Sequence, residues 1–364
     1  MTEPLPLSPE SLEAAARPLE KAGTLPAEAY TSPAVYALER RHLFEGGWLC
    51  AGRVDQVPER GDFAPLDLLG DRLMLVHGSD GEIRVLSRVC RHRGAELVGE
   101  PGNTRVFQCP YHAWTYDLTG RLRGAPLIDR DDPALHDCRL PEVRSEVWLG
   151  WVFVNLDGHA AALGPQLEPL EEALAPFGIS EMTAVHTATY PSPFNWKVLV
   201  DNFMEAYHHI ATHRDTLEGV FPAARSEVPD NHGPYSLLRM PAKEEGVDPL
   251  LAAVVYPFHL FAPGKHGTAW YQLFPLDAEH FELRIYTCAT RAQWEDPATA
   301  EALTGMQALV RTVHEQDIGA CEAVQAGMQA ASFEVGTLAR FEKAIWQFNQ
   351  WWLGRWSGPS ASGR

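Results

Sequence analysis

Cys90 and His92, then Cys109 and His112, lie in the segments VCRHRG and QCPYHAW, giving the pattern C-x-H-x16-C-x2-H. Two thiolates and two imidazoles in two short segments suit two kinds of centre. One is a [2Fe–2S] cluster with both Cys on one iron and both His on the other, where neutral imidazoles in place of thiolates raise the potential. The other is a tetrahedral zinc, for which the same ligand set serves. Zinc fingers pair Cys with Cys and His with His. Here each segment supplies one of each, which suits two loops gripping a two-iron cluster from opposite sides. The neighbours favour the cluster. Pro110 removes a backbone donor and fixes φ, Tyr111 and Trp114 can shield a cluster from water, and Arg93-Gly94 follows the first pair. TYDLTGRLRGAP then reads as a β-hairpin turning at Thr119-Gly120.

A second constellation sits in NWKVLVDNFMEAYHHIATH, which holds Asn202, Glu205, His208 and His213. Its first part has helical spacing, with Trp196, Leu199, Val200, Phe203 and Tyr207 on an apolar side. His208 and His213 are five residues apart, about 140° around a regular helix. Both reach one metal only if the helix ends, bends or bulges between them. Two His and one carboxylate on ferrous iron leave positions open for dioxygen. VRTVHEQDIGACEAVQAGM offers Glu315, Asp317 and Glu322 on a predicted helix, and composition does not choose among them.

The 364 residues suffice for two packed domains, and 45% hydrophobic content supports full cores. No apolar run approaches a membrane span, and MTEPLPLSPESLEAAARPLEK lacks a signal-peptide stretch. Thirty basic against 48 acidic side chains, a formal charge of −18, disfavour nucleic acid. Arg88, Arg91, Arg93 and Arg105 form a local basic group around the first ligand set, either a solvated loop surface or a docking site for an acidic electron donor. Cys50, Cys138, Cys288 and Cys321 are scattered and read as small buried residues, which fits a reducing cytoplasm.

Residues 34–47 read as a helix closed by Gly. From Trp48 to about Leu156, short apolar runs alternate with Gly and charged turns, the pattern of a small all-β domain. A helix over 165–178 follows, then the His-bearing helix, an irregular Pro- and Gly-rich stretch over 219–249, and strands near 251–261, 267–274 and 280–290. Helices near 297–329 and 338–353 come last, before a tail, SGPSASGR, expected to be disordered. Trp346, Trp351, Trp352 and Trp356 do not share one stripe and are expected to pack against the sheet or a neighbouring subunit.

From about Pro26 to Trp352 the chain resembles the catalytic α subunit of the Rieske non-heme iron oxygenases. CRHRG and CPYHAW resemble the cluster signature, NWKVLVDNFMEAYHHIATH the mononuclear-iron signature, and EQDIGACEAVQ the segment supplying the third iron ligand. The resemblance implies an α+β fold. An all-β Rieske [2Fe–2S] domain (45–157) would accompany a helix-grip, START-like catalytic domain (158–356, with residues 1–44 attached) built from an antiparallel sheet and helices. It implies that Cys90, His92, Cys109 and His112 hold the cluster, and that His208, His213 and Asp317 hold Fe(II). Ala113 departs from the Gly common at its position, adding a methyl group. Glu205 corresponds to the acidic residue that joins an iron-binding His to a cluster His of the neighbouring subunit in a homotrimer, and a carboxylate on the free N–H of a ligand imidazole fixes its tautomer. Asn202 matches a residue near the iron in relatives.

No G-x-G-x-x-G opens a helix, so NADH or NADPH is expected to act through a separate reductase, with or without a ferredoxin. The expected reaction inserts one oxygen atom of O2 into a C–H bond, or cis-dihydroxylates an arene. Ring-dihydroxylating α subunits run longer and usually carry Asp at the bridging position. Glu205 brings the chain closer to members that oxidise quaternary ammonium compounds such as betaines and carnitine, with N-demethylation releasing formaldehyde. Aromatic faces attract such cations, and Tyr235, Tyr256, Phe258, Trp270 and Tyr271 are expected near the pocket. Hydroxylation or demethylation of an aromatic or other apolar substrate stands beside that. A rival of another class is an electron carrier: a Rieske domain fused to a ligand-binding domain.

Overall fold

The computed structural model describes residues 5–129 and 132–356; the tail over 357–364 lies outside them. They form two compact units, Trp48–Ala161 and a main unit joining the residues up to Gly47 to those from Ala162 onward. Both are antiparallel β structures, the main one flanked by helices, so the α+β class holds.

The 48–161 unit contains β1 (Leu49–Arg53), β2 (Asp62–Leu68), β3 (Asp71–His77), β4 (Ile83–Ser87), β5 (Gly102–Asn103), β6 (Val106–Gln108), β7 (Thr115–Asp117), β8 (Leu122–Gly124), β9 (Glu142–Trp148) and β10 (Trp151–Asn155). A seven-stranded sheet runs β1-β10-β9-β4-β3-β2-β5, and β6-β7-β8 form a small separate sheet. Two hairpins close on Leu-Gly pairs with positive φ at both residues, Leu69-Gly70 and Leu149-Gly150, the backbone that matches the strand twist. The β7–β8 turn is held by Asp117, whose Oδ1 accepts from the backbone N–H of Thr119 (2.9 Å) and Arg121 (3.0 Å).

The main unit begins with α1 (Pro9–Ala16), α2 (Glu28–Thr31) and α3 (Pro33–Glu39), the last continuing as a π-helical turn to Glu45. After α4 (Gly164–Leu174) come β11 (Thr183–Ser192), α5 (Trp196–Phe203), β12 (Tyr235–Met240), β13 (Leu250–Val255), β14 (His259–Gly264), β15 (Gly267–Pro275) and β16 (Phe281–Ala289). Short α6 (Arg291–Glu295), long α7 (Pro297–Met328) and α8 (Lys343–Gly354) complete it. The strands make one sheet in the order β11-β16-β15-β14-β13-β12.

Two expectations need correction, and one strand lies where none was expected. The stretch 219–249 is not wholly irregular, because β12 lies within it and pairs with β13 from Tyr235↔Val255 to Met240↔Leu250. The strand read near 251–261 is two strands, interrupted at Tyr256-Pro257-Phe258, where Pro257 has no N–H for the ladder. HTATYPS belongs to β11, an edge strand, where Pro191 is tolerated for want of an outer neighbour.

The C-terminal tryptophans pack within this unit. Trp351 lies against Tyr256, Trp356 against His42, and the Trp346 indole N–H donates to Arg17 O (2.9 Å). Trp352 Nε1 and Trp196 Nε1 both donate to the carboxylate of Glu39, at 2.7 and 3.1 Å. The same carboxylate meets Lys197 Nζ at 2.7 Å with both side chains fully buried. A buried charge pair satisfied by two further donors ties the N-terminal segment to α5 and α8.

Candidate metal centres

The two Cys/His segments are built alike. Cys90 N–H donates to Ala95 O (2.9 Å) and Gly94 N–H donates back to Cys90 O (3.1 Å). Cys109 N–H likewise donates to Trp114 O (2.7 Å), and Ala113 N–H to Cys109 O (3.0 Å). The fourth residue after each Cys is left-handed, Gly94 at φ 77° and Ala113 at φ 55°. Each knuckle turns one thiol inward, since Cys90 and Cys109 are both buried, beside Phe107, Trp114 and Tyr116. The imidazoles lie outward. His92 is exposed and His112 half-buried, their ring centroids are 4.6 Å apart, and His92 stacks on Trp114 at 4.8 Å. Tyr116 Oη lies 3.3 Å from Cys90 Sγ and accepts the Arg91 N–H at 3.0 Å.

This donor set suits a two-metal cluster better than zinc. Among the described residues, His208, His213 and Asp317 are the set of three or more His, Cys, Asp or Glu whose ligand atoms all lie within 4.8 Å. The Cys/His quartet does not meet that condition, whereas one tetrahedral ion would draw all four donors that close. Of the basic group, Arg91, Arg93 and Arg105 are exposed. Arg88 is not part of that surface: it is buried and paired with Asp67 at 2.6 Å.

The second set depends on how α5 ends. Asn195 caps its start, its side chain accepting the Lys197 N–H (2.9 Å), and its own N–H donates to Gln325 on α7 (3.0 Å). At the other end Asn202 Nδ2 donates to Asp317 Oδ1 (3.2 Å). The helix stops at Phe203 and resumes as a 3-10 turn over Tyr207–Ile210, so the angular mismatch of a regular helix does not apply. His208 and His213 come to a ring separation of 4.9 Å.

Asp317 is fixed by α7. His314, Asp317, Cys321 and Gln325 are buried on one stripe, while Glu315 and Glu322 are exposed. Both imidazoles turn Nε2 toward Asp317 Oδ1, His213 at 2.9 Å and His208 at 3.5 Å. Their other nitrogens are engaged. Glu205 Oε1 lies 2.5 Å from His208 Nδ1 while its Oε2 accepts the His208 backbone N–H (3.0 Å). Gln316 Oε1 lies 2.8 Å from His213 Nδ1 and accepts the Thr216 hydroxyl (3.0 Å). With N–H on both Nδ1 atoms, two Nε2 lone pairs and one carboxylate oxygen converge, a facial set fitting a ferrous ion with open positions. Burial opposes protonation of His213, but its contacts with Asp317 and Gln316 outweigh it and raise its pKa. His209 is buried against both rings, and burial together with His208 and His213 pushes its pKa down to about 3.

A cleft of about 650 Å3, counting space open to solvent, lies against these residues. Its walls come from β12 to β15, α7 and the end of α5. Asn202, Glu205, His208, His213 and Asp317 all border it.

Residues 47–143 match the model of the Rieske [2Fe–2S] domain, and residues 179–249 and 222–358 match that of the ring hydroxylating alpha subunit catalytic domain. The chain belongs to the Rieske-type ring-hydroxylating oxygenases, as a catalytic α-type subunit. This Rieske-type subunit is 32% identical over 191 residues (51% of this chain, 52% of the relative) to the carnitine monooxygenase oxygenase subunit of Acinetobacter pittii. It is 26% identical over 348 residues (92% of this chain, 77% of the relative) to the chloroplastic choline monooxygenase of Beta vulgaris. The chain spans about half the length of the first curated relatives it matches. In fold it is similar to a quaternary ammonium Rieske monooxygenase solved with L-carnitine, at TM-score 0.80 and 24% identity over 98% of this chain and 100% of the other. It is equally similar to naphthalene 1,2-dioxygenase from Rhodococcus sp. bound to indole, at TM-score 0.80 and 21% identity over 97% and 99%.

For this Rieske-type oxygenase the expected aromatic lining is mostly wrong. Of the five residues named, Tyr271 borders the cleft. Tyr256 packs on Phe348, Phe258 on Phe44 and Trp196, and Trp270 on Tyr286, while Tyr235 is absent from the lining. Strand alternation turns Tyr235 and Trp270 to the other face, and Tyr256 and Phe258 lie in the turn between β13 and β14. Sequence reading also missed Gln316 and His209. Gln316 directly precedes Asp317, and that adjacency was the available signal.

Proposed function

We propose that this chain is a terminal oxygenase component, using O2 and electrons from a separate reductase to hydroxylate a small organic substrate. The observation that carries the reading is the convergence of two Nε2 lone pairs and the Asp317 carboxylate at the wall of an apolar cleft, in a chain that also bears paired Cys/His knuckles. Cys90 and Cys109 would hold the inner iron of a [2Fe–2S] cluster, and His92 and His112 the outer one. His208, His213 and Asp317 would hold Fe(II). Together these centres would supply dioxygen binding and the second electron needed to split it.

The chain's own groups do the rest. Glu205 and Gln316 hold the imidazoles in the ligating tautomer, Asn202 steadies Asp317, and the apolar walls exclude water. Glu205 is the group through which a cluster His of a neighbouring copy in a homotrimer would communicate with His208. The main-unit sheet with α7 is assigned the helix-grip, START-like architecture. NADH or NADPH would act through the reductase, with or without a ferredoxin, in the cytoplasm. Among the described residues no helix is long and apolar enough to cross a membrane.

Relatives named as carnitine, glycine betaine and choline monooxygenases favour monooxygenation over ring dihydroxylation. The electron-carrier alternative gives no reason for a carboxylate–imidazole face opening on a cleft. Purified protein is expected to hold three irons per chain, against two for a carrier. Glu205→Gln should retain all three and lose most product formation, while normal turnover by that variant would refute the assigned role of Glu205.

A further inference from the structure

The cleft bordered by Asp317 has two chemically different ends. The acidic and imidazole groups that line it come from the turns after α5 and from Asp317, and Tyr271 adds one phenol. The remaining wall is aliphatic, led by Leu238, Met240, Leu250, Leu251, Leu309 and Val313. Alanines on neighbouring strands hollow the sheet face: Leu238 stands opposite Ala252, and Ala262 opposite Ala269. Among the described residues no Lys, Arg, Ser or Thr side chain lines the cleft.

A carboxylate on the substrate would therefore be buried near Glu205 and Asp317 with the neutral Tyr271 hydroxyl as its donor on that wall, and a buried charge without an opposite charge is strongly disfavoured. A substrate ammonium fares little better. Both oxygens of Glu205 are taken up by His208, and Asp317 Oδ1 by His213 and Asn202. Recognition of quaternary ammonium uses several ring faces. Here Phe203 and Tyr271 are the two aromatic rings apart from the imidazoles, and they pack edge to face on each other at 5.0 Å.

We infer that the substrate is an uncharged molecule whose body is hydrocarbon, with any polar atom confined to the end facing His208, His213 and Asp317, rather than a betaine or other quaternary ammonium ion. The inference deepens the oxygenase reading and rests on it for what happens to the bound molecule, though the binding itself is testable alone.

Neopentylbenzene and the benzyltrimethylammonium cation share one shape and differ by a single charge. Calorimetric titration of the iron-loaded protein should give at least tenfold tighter binding of the neutral member, and no measurable binding of glycine betaine. Ala269→Leu and Ala262→Leu, which each fill the hollow from a different strand, should weaken the neutral ligand at least tenfold in whichever variant retains wild-type iron content and melting temperature. Equal or tighter binding of the cation overturns the inference. So does failure of neopentylbenzene to bind, or binding that both fillers leave untouched. The titration reads the cleft and not turnover, so these results leave the oxygenase reading, tested by iron content and product, to stand or fall separately.

Discussion

At the scale of single residues, Ala113 carries a conformation that its side chain does not favour. It occupies in the second knuckle the place Gly94 holds in the first, donating its N–H to the preceding Cys carbonyl at φ 55°. The sequence showed an extra methyl group there, but not that the backbone is left-handed, which is the larger effect. Ala113→Gly relieves about 1–2 kcal/mol of left-handed strain and gives back about 0.4–1 kcal/mol through the freer unfolded chain. The net expectation is a gain near 0.5–1 kcal/mol, read as a higher melting temperature with an unchanged visible spectrum. Gln316 is the complementary case, a residue whose role emerges only from geometry. Gln316→Leu frees His213 Nδ1 and should weaken metal retention about 10–100-fold. Dialysis against a chelator should then take iron from three toward two per chain without bleaching the cluster, and equal retention by variant and wild type would count against an orienting role. The Cys/His motif was legible because spacing alone defines it. Composition did not separate Asp317 from Glu315 and Glu322; the resemblance chose it, and α7 shows it on the buried face.

Elements explain why the same triad was hard to read from spacing. A regular helix through 208–213 holds the two imidazoles apart, and only the stop at Phe203 followed by a 3-10 turn brings them together. Long helices and alternating strands were readable from period. Strand β12 was hidden by the Pro and Gly around it, and β13 and β14 merged because both are apolar through the intervening turn. Helix α5 is anchored at both ends by groups of the N-terminal segment that no local pattern announces. Tyr30 Oη donates to Asp201 Oδ2 at 2.7 Å, and Asp201 Oδ1 is buried without a partner. Burial pushes the Asp201 carboxyl up to about 7, against the downward pull of the Tyr30 hydrogen bond and the Lys197 charge. Between the ordinary carboxylate value and about 7, the folded chain keeps a proton that the unfolded chain has released. Stability from this group therefore falls as pH rises through that window. Asp201→Asn removes the dependence and keeps an acceptor for Tyr30. Its melting temperature relative to wild type should climb between about pH 4 and about pH 8. A difference flat across that range would show that Asp201 is ionised in the folded protein.

At the scale of the whole molecule, the two metal-binding constellations belong to different compact units, the knuckles to Trp48–Ala161 and the triad to the main unit. His92 is exposed on its unit, and Glu205 lies on the ligand His208 of the other. If electrons pass between copies in a cyclic trimer, two crippled chains can repair each other. Cys109→Ser removes a cluster ligand and leaves the triad, while Asp317→Ala removes a triad ligand and leaves the cluster. Neither homotrimer should turn over. Mixed in equal amounts during assembly, each position has an even chance of holding an intact triad and an even chance of facing an intact cluster. Activity should return to about a quarter of wild type in a head-to-tail ring. Transfer confined to one chain predicts none, because no single chain in the mixture carries both centres. Assembly must be shown by sedimentation to give trimers containing both variants, and mixed trimers without activity would place the electron path within the chain and remove Glu205 from it.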